Sequence, residues 1–452
     1  MENSSLLFPN TYAVTKELIR DRTARIGIVG LGYVGLPLAL LFSDSGFVVE
    51  GIDLDAMKVE TLLNRRSYLG SIPSETVARA RDRGFHATID VEKIAETDVV
   101  IVCVPTPLDR NQEPNLRFIR ETVFNVAAHL HSGHLVVLES LTCPGTTEEI
   151  VVPILEQANV AHLRVSRNTA AIDQIFVAFS PENEDPGEST IHRRDIPKVI
   201  GGMDRFSTEL AADLYSALFS HIVPVSTPTV AEMSKLLENA YRCVNVALIN
   251  EIKELCFLMG IDPWEVIDAA KTTPFSFQAF YPGPGLGGNG IPRGPFYLSW
   301  KAKAYDFRAK FIESAGEFNA AMPSFVVRCT SEALNRQKKS MLGSSILLLG
   351  IGYKKDVDDL RESPPLTIIE LLRRAGAEVS YNDPFLPYIG RGRHYDLNII
   401  STSIEDVSRY DAVLIATDHS SYDYKRIVSQ AKLVIDTRNA TRAIISEKIV
   451  RC

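Results

Sequence analysis

The residues with the clearest chemical use stand near the start of the chain. Gly30-Leu31-Gly32-Tyr33-Val34-Gly35 is a G-x-G-x-x-G that follows a short apolar strand pattern, RIGIV, and opens a helical one. In such a turn the first glycine permits the tight bend and the second lets the backbone approach a pyrophosphate. The third allows the helix to lie close on the strand, and the free N–H groups at the helix start face the anion. Asp53 ends the next strand pattern, VVEGIDLD, where its carboxylate can accept both ribose hydroxyls and disfavours a 2′-phosphate. Together these select NAD over NADP; the bland alternative is a set of purely structural turn glycines. A second glycine turn, Gly350-Ile351-Gly352-Tyr353-Lys354-Lys355, lacks the third glycine and carries two lysines. It reads as a phosphate-facing loop for a different ligand, or as a solvated loop.

Other chemistries find little support. The nine histidines lie apart, with no His-x-x-x-His and no carboxylate cluster at ligand spacing, so no metal site is expected. The six cysteines, Cys103, Cys143, Cys243, Cys256, Cys329 and Cys452, show no C-x-x-C pairing, and several sit in apolar runs as buried thiols do. A reducing cytoplasm is the simplest compartment for them.

These motifs need elements to hold them. RIGIVG, VVEGIDLD, DVVIVCVPTP and HLVVLES read as strands with helical segments between, which predicts a parallel, doubly wound sheet. TVAEMSKLLENAYRCVNVALINEIKELCFLMG reads as one long helix broken at Gly260, after which Asp262 caps a new helix. So much apolar surface on one helix predicts contact with both flanking domains and with a second subunit. From about Gly343 the order repeats: SSILLLGIGY, EVSYNDP, DAVLIAT and KLVIDT as strands, LTIIELLRRAG as a helix. The expected fold is α/β, with two Rossmann-like doubly wound domains joined by a long central helix. The expected divisions are a lead-in over 1–23, a dinucleotide domain over 24–225, a central helical domain over 226–325, and a second Rossmann-like domain over 326–452.

Composition fits an ordinary globular chain: 452 residues, 45% hydrophobic and 23% charged. The net charge of −8, without any block of lysines or arginines, argues against a nucleic-acid or anionic-membrane partner. No apolar run is long enough to cross a bilayer, and the N-terminal residues do not read as a signal peptide.

Five ordered segments, ESLTCPGTTEE (139–149), FSPENEDPG (179–187), AEMSKLLENAYRCVNVALINE (231–251), FYPGPGLGGNGIPRGPFYLSWKA (280–302) and GIGYKKDVDDLRESP (350–364), together resemble the UDP-glucose/GDP-mannose dehydrogenase family. The nearest likeness is to its UDP-N-acetylhexosamine 6-dehydrogenases. The resemblance implies oxidation of a sugar C6 alcohol to a carboxylate with two NAD, through an aldehyde and a cysteine thioester. It also implies a UDP-hexose or UDP-N-acetylhexosamine as substrate and a homodimer formed through the central helix. By matching position, Thr142 and Glu182 orient water and the reacting group, and Lys235 stabilises an oxyanion or moves the C6 proton. Asn239 polarises the C6 oxygen, and Arg361 reaches the site from the C-terminal domain. Pro105 and Thr106 fall with Gly30, Gly32, Tyr33, Val34, Gly35, Asp53 and Thr142 on the NAD side. Tyr281, Gly285, Gly287, Gly288 and Lys354 fall with Glu182, Lys235, Asn239 and Arg361 on the sugar-nucleotide side. Read without the resemblance, Lys235 and Asn239 are a polar stripe on a helix.

The family pattern breaks in one loop. Where it reads roughly G-G-H-C-I-P-x-D, this chain has Gly287-Gly288-Asn289-Gly290-Ile291-Pro292-Arg293-Gly294. Gly290 stands for the nucleophilic cysteine and Gly294 for the assisting aspartate; Asn289 and Arg293 differ too, and Asn183 replaces an arginine. Hydride transfer needs a bound cofactor, a positioned alcohol and a proton acceptor, whereas a thioester needs a thiolate. Four readings follow. The chemistry stops at the C6 alcohol and aldehyde, or the hydrated aldehyde loses a second hydride without covalent attachment, with Cys143 or Cys243 as conceivable substitutes. Otherwise the chain binds without catalysis, or Arg293 faces an anionic or carbonyl group of another substrate.

Overall fold

The computed structural model describes residues 10–109, 111–168, 172–182, 193–288, 290–392 and 395–452. It divides into two compact units, Met1–Leu237 and Glu238–Cys452. In the first, strands β1 (Arg25–Val29), β2 (Val48–Ile52), β3 (Phe85–Thr88), β4 (Val99–Val102), β5 (Leu135–Leu138), β6 (Arg164–Val165), β7 (Gln174–Phe179), β8 (Lys198–Gly202) and β9 (Ile222–Val225) form one sheet. Its order is β3-β2-β1-β4-β5-β7-β8-β9, with β6 on β7. Among the described residues every pairing in this sheet is parallel except β7 with β8. Strand side chains alternate between two cores, Ile26, Ile28, Val99 and Ile101 facing one, Val29, Val100 and Val102 the other. Burial on both faces is why these strands are continuous Val/Ile runs.

The order turns about β1, with β2 on one side and β4 on the other, so its C-terminal end lies at a topological switch point where α/β sheets bind ligands. The glycine turn is placed there, and the helix Gly35–Asp44 begins at its third glycine.

The second unit repeats the plan on a smaller scale. Strands β10 (Ser345–Leu349), β11 (Glu378–Asn382), β14 (Ala412–Ile415), β15 (Val434–Asp436) and β16 (Ile449–Arg451) form a parallel sheet in the order β11-β10-β14-β15-β16. A hairpin of β12 (Tyr388–Arg391) and β13 (Asp396–Ile400) stands apart. The long helix runs Pro228–Met259 and ends at Gly260, whose φ of +71° suits a glycine past a helix end. Asp262 then caps Pro263–Ala270 by accepting from Trp264 N–H.

Several strands exceed the expectation, for physical reasons. The edge strand β9 is only half-buried and contains Pro224, a residue that suits sheet edges alone and weakens the strand pattern. Strand β8 carries a buried lysine, Lys198, and two glycines. None of the described helices is long and apolar enough to cross a membrane.

Gly35 sits so close to the turn that an added Cβ would lie 1.9 Å from Gly30 O. Gly35→Ala is therefore expected to lower stability by about 1–3 kcal/mol, as overpacking does, and to abolish dinucleotide binding. Denaturant unfolding and NAD titration of the variant check both.

Candidate functional site

In the first unit the glycine turn is tied to the next strand by Asp53. One carboxylate oxygen accepts from Leu31 N–H (2.8 Å) and from Lys58 Nζ (3.2 Å), the other from Asp55 N–H (2.9 Å). Gly30 takes a φ of +96°, and a Cβ on Gly32 would meet nothing within 4 Å. The turn is thus closed against the protein at Gly35 and open at Gly32, as a pyrophosphate lying on the backbone requires. Tyr33 is exposed beside it and Val34 half-buried. After β4, Pro105 is exposed, while buried Thr106 donates to Leu141 O (2.6 Å) and so ties this loop to the residue before Thr142.

Thr142 is buried and donates to Thr146 Oγ1 (2.7 Å). The segment that follows is held by a residue that the sequence reading overlooks, Glu232 on the long helix. Its carboxylate accepts from Gly145 N–H (2.5 Å), Thr147 N–H (2.9 Å) and Thr147 Oγ1 (2.7 Å). Glu232, Lys235 and Asn239 are spaced i, i+3, i+7, a single helix face, which is the signal that marks Glu232. Burial outweighs the donated hydrogen bonds and raises the Glu232 carboxyl to about 7.

Glu182 is half-buried at the end of Ser180-Pro181-Glu182. Beneath that segment lies an unforeseen buried pair, Lys198 Nζ to Glu139 (2.9 Å). Lys198 also donates to Pro181 O (3.0 Å), and Tyr215 OH donates to Glu139. Burial opposes the Lys198 charge, but Glu139 and Glu182 outweigh it and hold the ammonium above the ordinary lysine range. Asn183 lies outside the described residues, as does Asn289.

In the second unit the decisive contact is between the long helix and the altered loop. Asn239 is buried, and its side chain lies against both glycines that depart from the family pattern. A Cβ on Gly290 would lie 3.0 Å from Asn239 Nδ2, and one on Gly294 would lie 2.9 Å from Asn239 Cβ. A side chain at either position would press on the Asn239 side chain, at 290 on its amide end and at 294 on its Cβ. Asn239 Nδ2 itself is buried without a hydrogen-bond partner among the described residues, a donor awaiting an acceptor.

The loop is anchored on the second glycine turn. A Cβ on Gly287 would lie 2.3 Å from Tyr353 Cβ, so only glycine permits this approach. Gly288 N–H donates to Arg361 O (2.8 Å), and a Cβ on Gly285 would lie 3.1 Å from Pro364. Arg293, buried, pairs with Glu362 (2.5 Å). A carboxylate of the chain itself thus answers one side of that guanidinium. Arg361 forks onto Asp359, Nε at 2.9 Å and Nη2 at 2.6 Å from the same oxygen. Lys354 is half-buried on the turn, and Tyr281 is exposed, its hydroxyl accepting from Lys271 Nζ (3.3 Å). Asp383, after β11, accepts from Ile351 and Gly352 N–H (2.7 and 3.2 Å), as Asp53 does from Leu31. His419 Nε2 stands 3.0 Å from the same carboxylate, so this acid is engaged within the protein.

All six cysteines are free and buried. Cys243 packs with Ala247 and Ala315, and burial pushes its thiol up, away from thiolate. No cluster of three or more metal-ligating side chains occurs among the described residues.

Two outcomes are expected. The Glu232 carboxyl ionises near about 7 when folded and near 4.5 ordinarily, so the native state alone holds this proton between those values. Stability from this group is full below pH 4.5 and declines as pH rises toward 7, a slope that Glu232→Gln should lack in chemical unfolding measured across that window. Gly32→Ala should leave stability unchanged while weakening NAD binding, which separates ligand contact from packing at this turn.

Comparison with known proteins agrees with this geometry. Residues 24–219 match the NAD binding domain of the UDP-glucose/GDP-mannose dehydrogenase family, 229–321 its central domain and 347–443 its UDP binding domain. The UDP-N-acetyl-D-mannosamine dehydrogenase of Methanocaldococcus jannaschii is 31% identical, over 94% of each chain. That of Pyrococcus horikoshii is 33% identical, over 92% of this chain and 95% of its own. A solved structure of the UDP-D-ManNAc dehydrogenase from Pyrococcus horikoshii superposes with a TM-score of 0.80 at 32% identity, covering 94% of this chain and 97% of that one. With its dinucleotide turn, long helix and second Rossmann-like unit in the family's order, the chain belongs to the UDP-glucose/GDP-mannose dehydrogenase family of NAD-dependent nucleotide-sugar oxidoreductases.

Proposed function

We propose that the protein interconverts the C6 alcohol and C6 aldehyde of a UDP-N-acetylhexosamine in a reversible two-electron reaction. The observation that carries this reading is that Gly290 and Gly294, the two positions that face Asn239, bring neither a thiol nor a carboxylate to it. NAD held at the turn Gly30–Gly35 and by Asp53 would supply the acceptor for the C6 hydride. Lys235 takes the hydroxyl proton, so the C6–H and O–H bonds break as the carbonyl forms. Asn239 Nδ2 donates to the C6 oxygen, satisfying the amide left open in the protein alone. Thr142 and Glu182 hold the reacting group and its water, their loops fixed by Glu232 and by Lys198. Lys354 and Arg361 belong to the nucleotide side, with Gly285, Gly287, Gly288 and Tyr281. Tyr33, Pro105 and Thr106 complete the NAD side. The UDP and the N-acetylhexosamine come from the relatives, whose names carry them.

Retention of Thr142 and Glu182 favours a second reading, in which the hydrated aldehyde slowly gives up another hydride without attachment to the protein. Product analysis separates the two. Incubation with NAD, UDP-N-acetylhexosamines and hydroxylamine should yield a C6 oxime by mass spectrometry, and a C6 carboxylate as the main product would overturn the first reading. We also propose a cytoplasmic enzyme whose domains divide at 24–225, 226–325 and 326–452.

A homodimer through the long helix completes the proposal. Its exposed Met233, Leu237, Tyr241, Leu248 and Leu255 are 44–62% accessible and recur at helical spacing, an apolar stripe that a second copy would cover. Leu237→Glu with Leu248→Glu should shift the sedimenting species from dimer to monomer.

A further inference from the structure

The second unit contains a cavity of about 450 Å³ whose lining includes none of the residues 350–355 of its glycine turn. Its wall comes from the end of the long helix, the start of the helix Pro263–Ala270, Phe325 and the last residues of the chain. That size lies within the range of small-molecule sites. Most of the lining is apolar and aromatic, with Phe257, Trp264 and Phe325 prominent.

Two cationic side chains on this wall, a buried lysine and a partly exposed arginine, have donors that the protein satisfies incompletely. Lys253 is 2% exposed and pairs with no carboxylate among the described residues. Its ammonium makes one long hydrogen bond, to Gly283 O (3.5 Å), and lies 4.8 Å from the Phe325 ring centre. A desolvated, unpaired ammonium costs several kcal/mol unless a partner joins it, and burial pulls its pKa down accordingly. Arg451 gives Nη1 to Asp262 (2.8 Å), but its Nε is buried without a partner. Asp262 is fully engaged, since it also caps Trp264 N–H. The wall therefore holds one satisfied ion pair, one orphaned N–H at Arg451 Nε, and a buried ammonium with a single long hydrogen bond and no carboxylate partner among the described residues.

We propose that this cavity is a binding site for a small organic carboxylate with an aromatic or branched aliphatic body, its carboxylate received by Lys253 and Arg451 Nε and its body by Phe257, Trp264 and Phe325. Neither the cofactor nor the sugar nucleotide is required for this site, so it stands independently of the proposed reaction. A neutral molecule of the same shape would leave both donors unanswered and bind more weakly.

The chain has two tryptophans, so a Trp300→Phe background assigns emission to Trp264. Full-length protein in that background is titrated with hydrocinnamate, isocaproate and the neutral hydrocinnamamide. The carboxylates should change Trp264 emission saturably, with hydrocinnamamide weaker by about tenfold or more, the worth of a charge-assisted hydrogen bond. Lys253→Met should remain folded, since it replaces a buried charge with an apolar chain of similar length, and should lose the preference for acid over amide. Arg451→Gln provides the same comparison should Lys253→Met fail to fold. No saturable binding of either carboxylate, or equal affinity for acid and amide in the unaltered site, overturns the proposal.

Discussion

The contact on which the site depends is a helix laid against a backbone. Asn239, on the long helix, meets Gly290 and Gly294 where a Cβ would stand at 3.0 and 2.9 Å from it. Side chains at both positions would force the helix, the loop or the amide to move. The two glycines are therefore one packing solution rather than two separate losses, and the loop that bears them is locked in turn. Gly288 donates to Arg361 O, Gly287 abuts Tyr353, and Arg293 pairs with Glu362. A side chain at 290 would meet the Asn239 amide alone, so a shift of that amide decides whether it fits.

Each unit holds its glycine turn by the same device. A carboxylate just beyond the neighbouring strand accepts from the first N–H after the leading glycine: Asp53 from Leu31, Asp383 from Ile351. The surroundings then separate their uses. Asp53 keeps company with a lysine beside an open turn, whereas Asp383 is buried against His419. The first leaves its turn open, whereas the second has its acid engaged by the protein.

Much of this was legible in the sequence. The first glycine turn, Asp53, the long helix with its stop at Gly260, and the repeated strand-turn-helix order all follow from local rules of period and turn chemistry. Glu232 was hidden because a carboxylate in a helical stripe looks solvated until its partners, Gly145 and Thr147, prove to be more than eighty residues away in sequence. The pair of Glu139 and Lys198 was hidden for the same reason, with a lysine inside a strand lowering the apolar pattern that would have revealed β8. Edge strands such as β9 carry half-exposed residues and so lack the run of apolar side chains that marks the centre of a sheet. The altered loop was visible as a departure from pattern, but that Asn239 occupies the vacated side is a tertiary fact.

The proposed limit of two electrons per sugar is tested most directly by electron counting. Purified protein would be given a limiting UDP-N-acetylhexosamine, excess NAD and an aldehyde trap, and NADH would be counted per sugar consumed. One NADH per sugar is the result predicted for a reaction that ends at the aldehyde. Two would contradict it, and would mean that the second oxidation proceeds without the family's thiol.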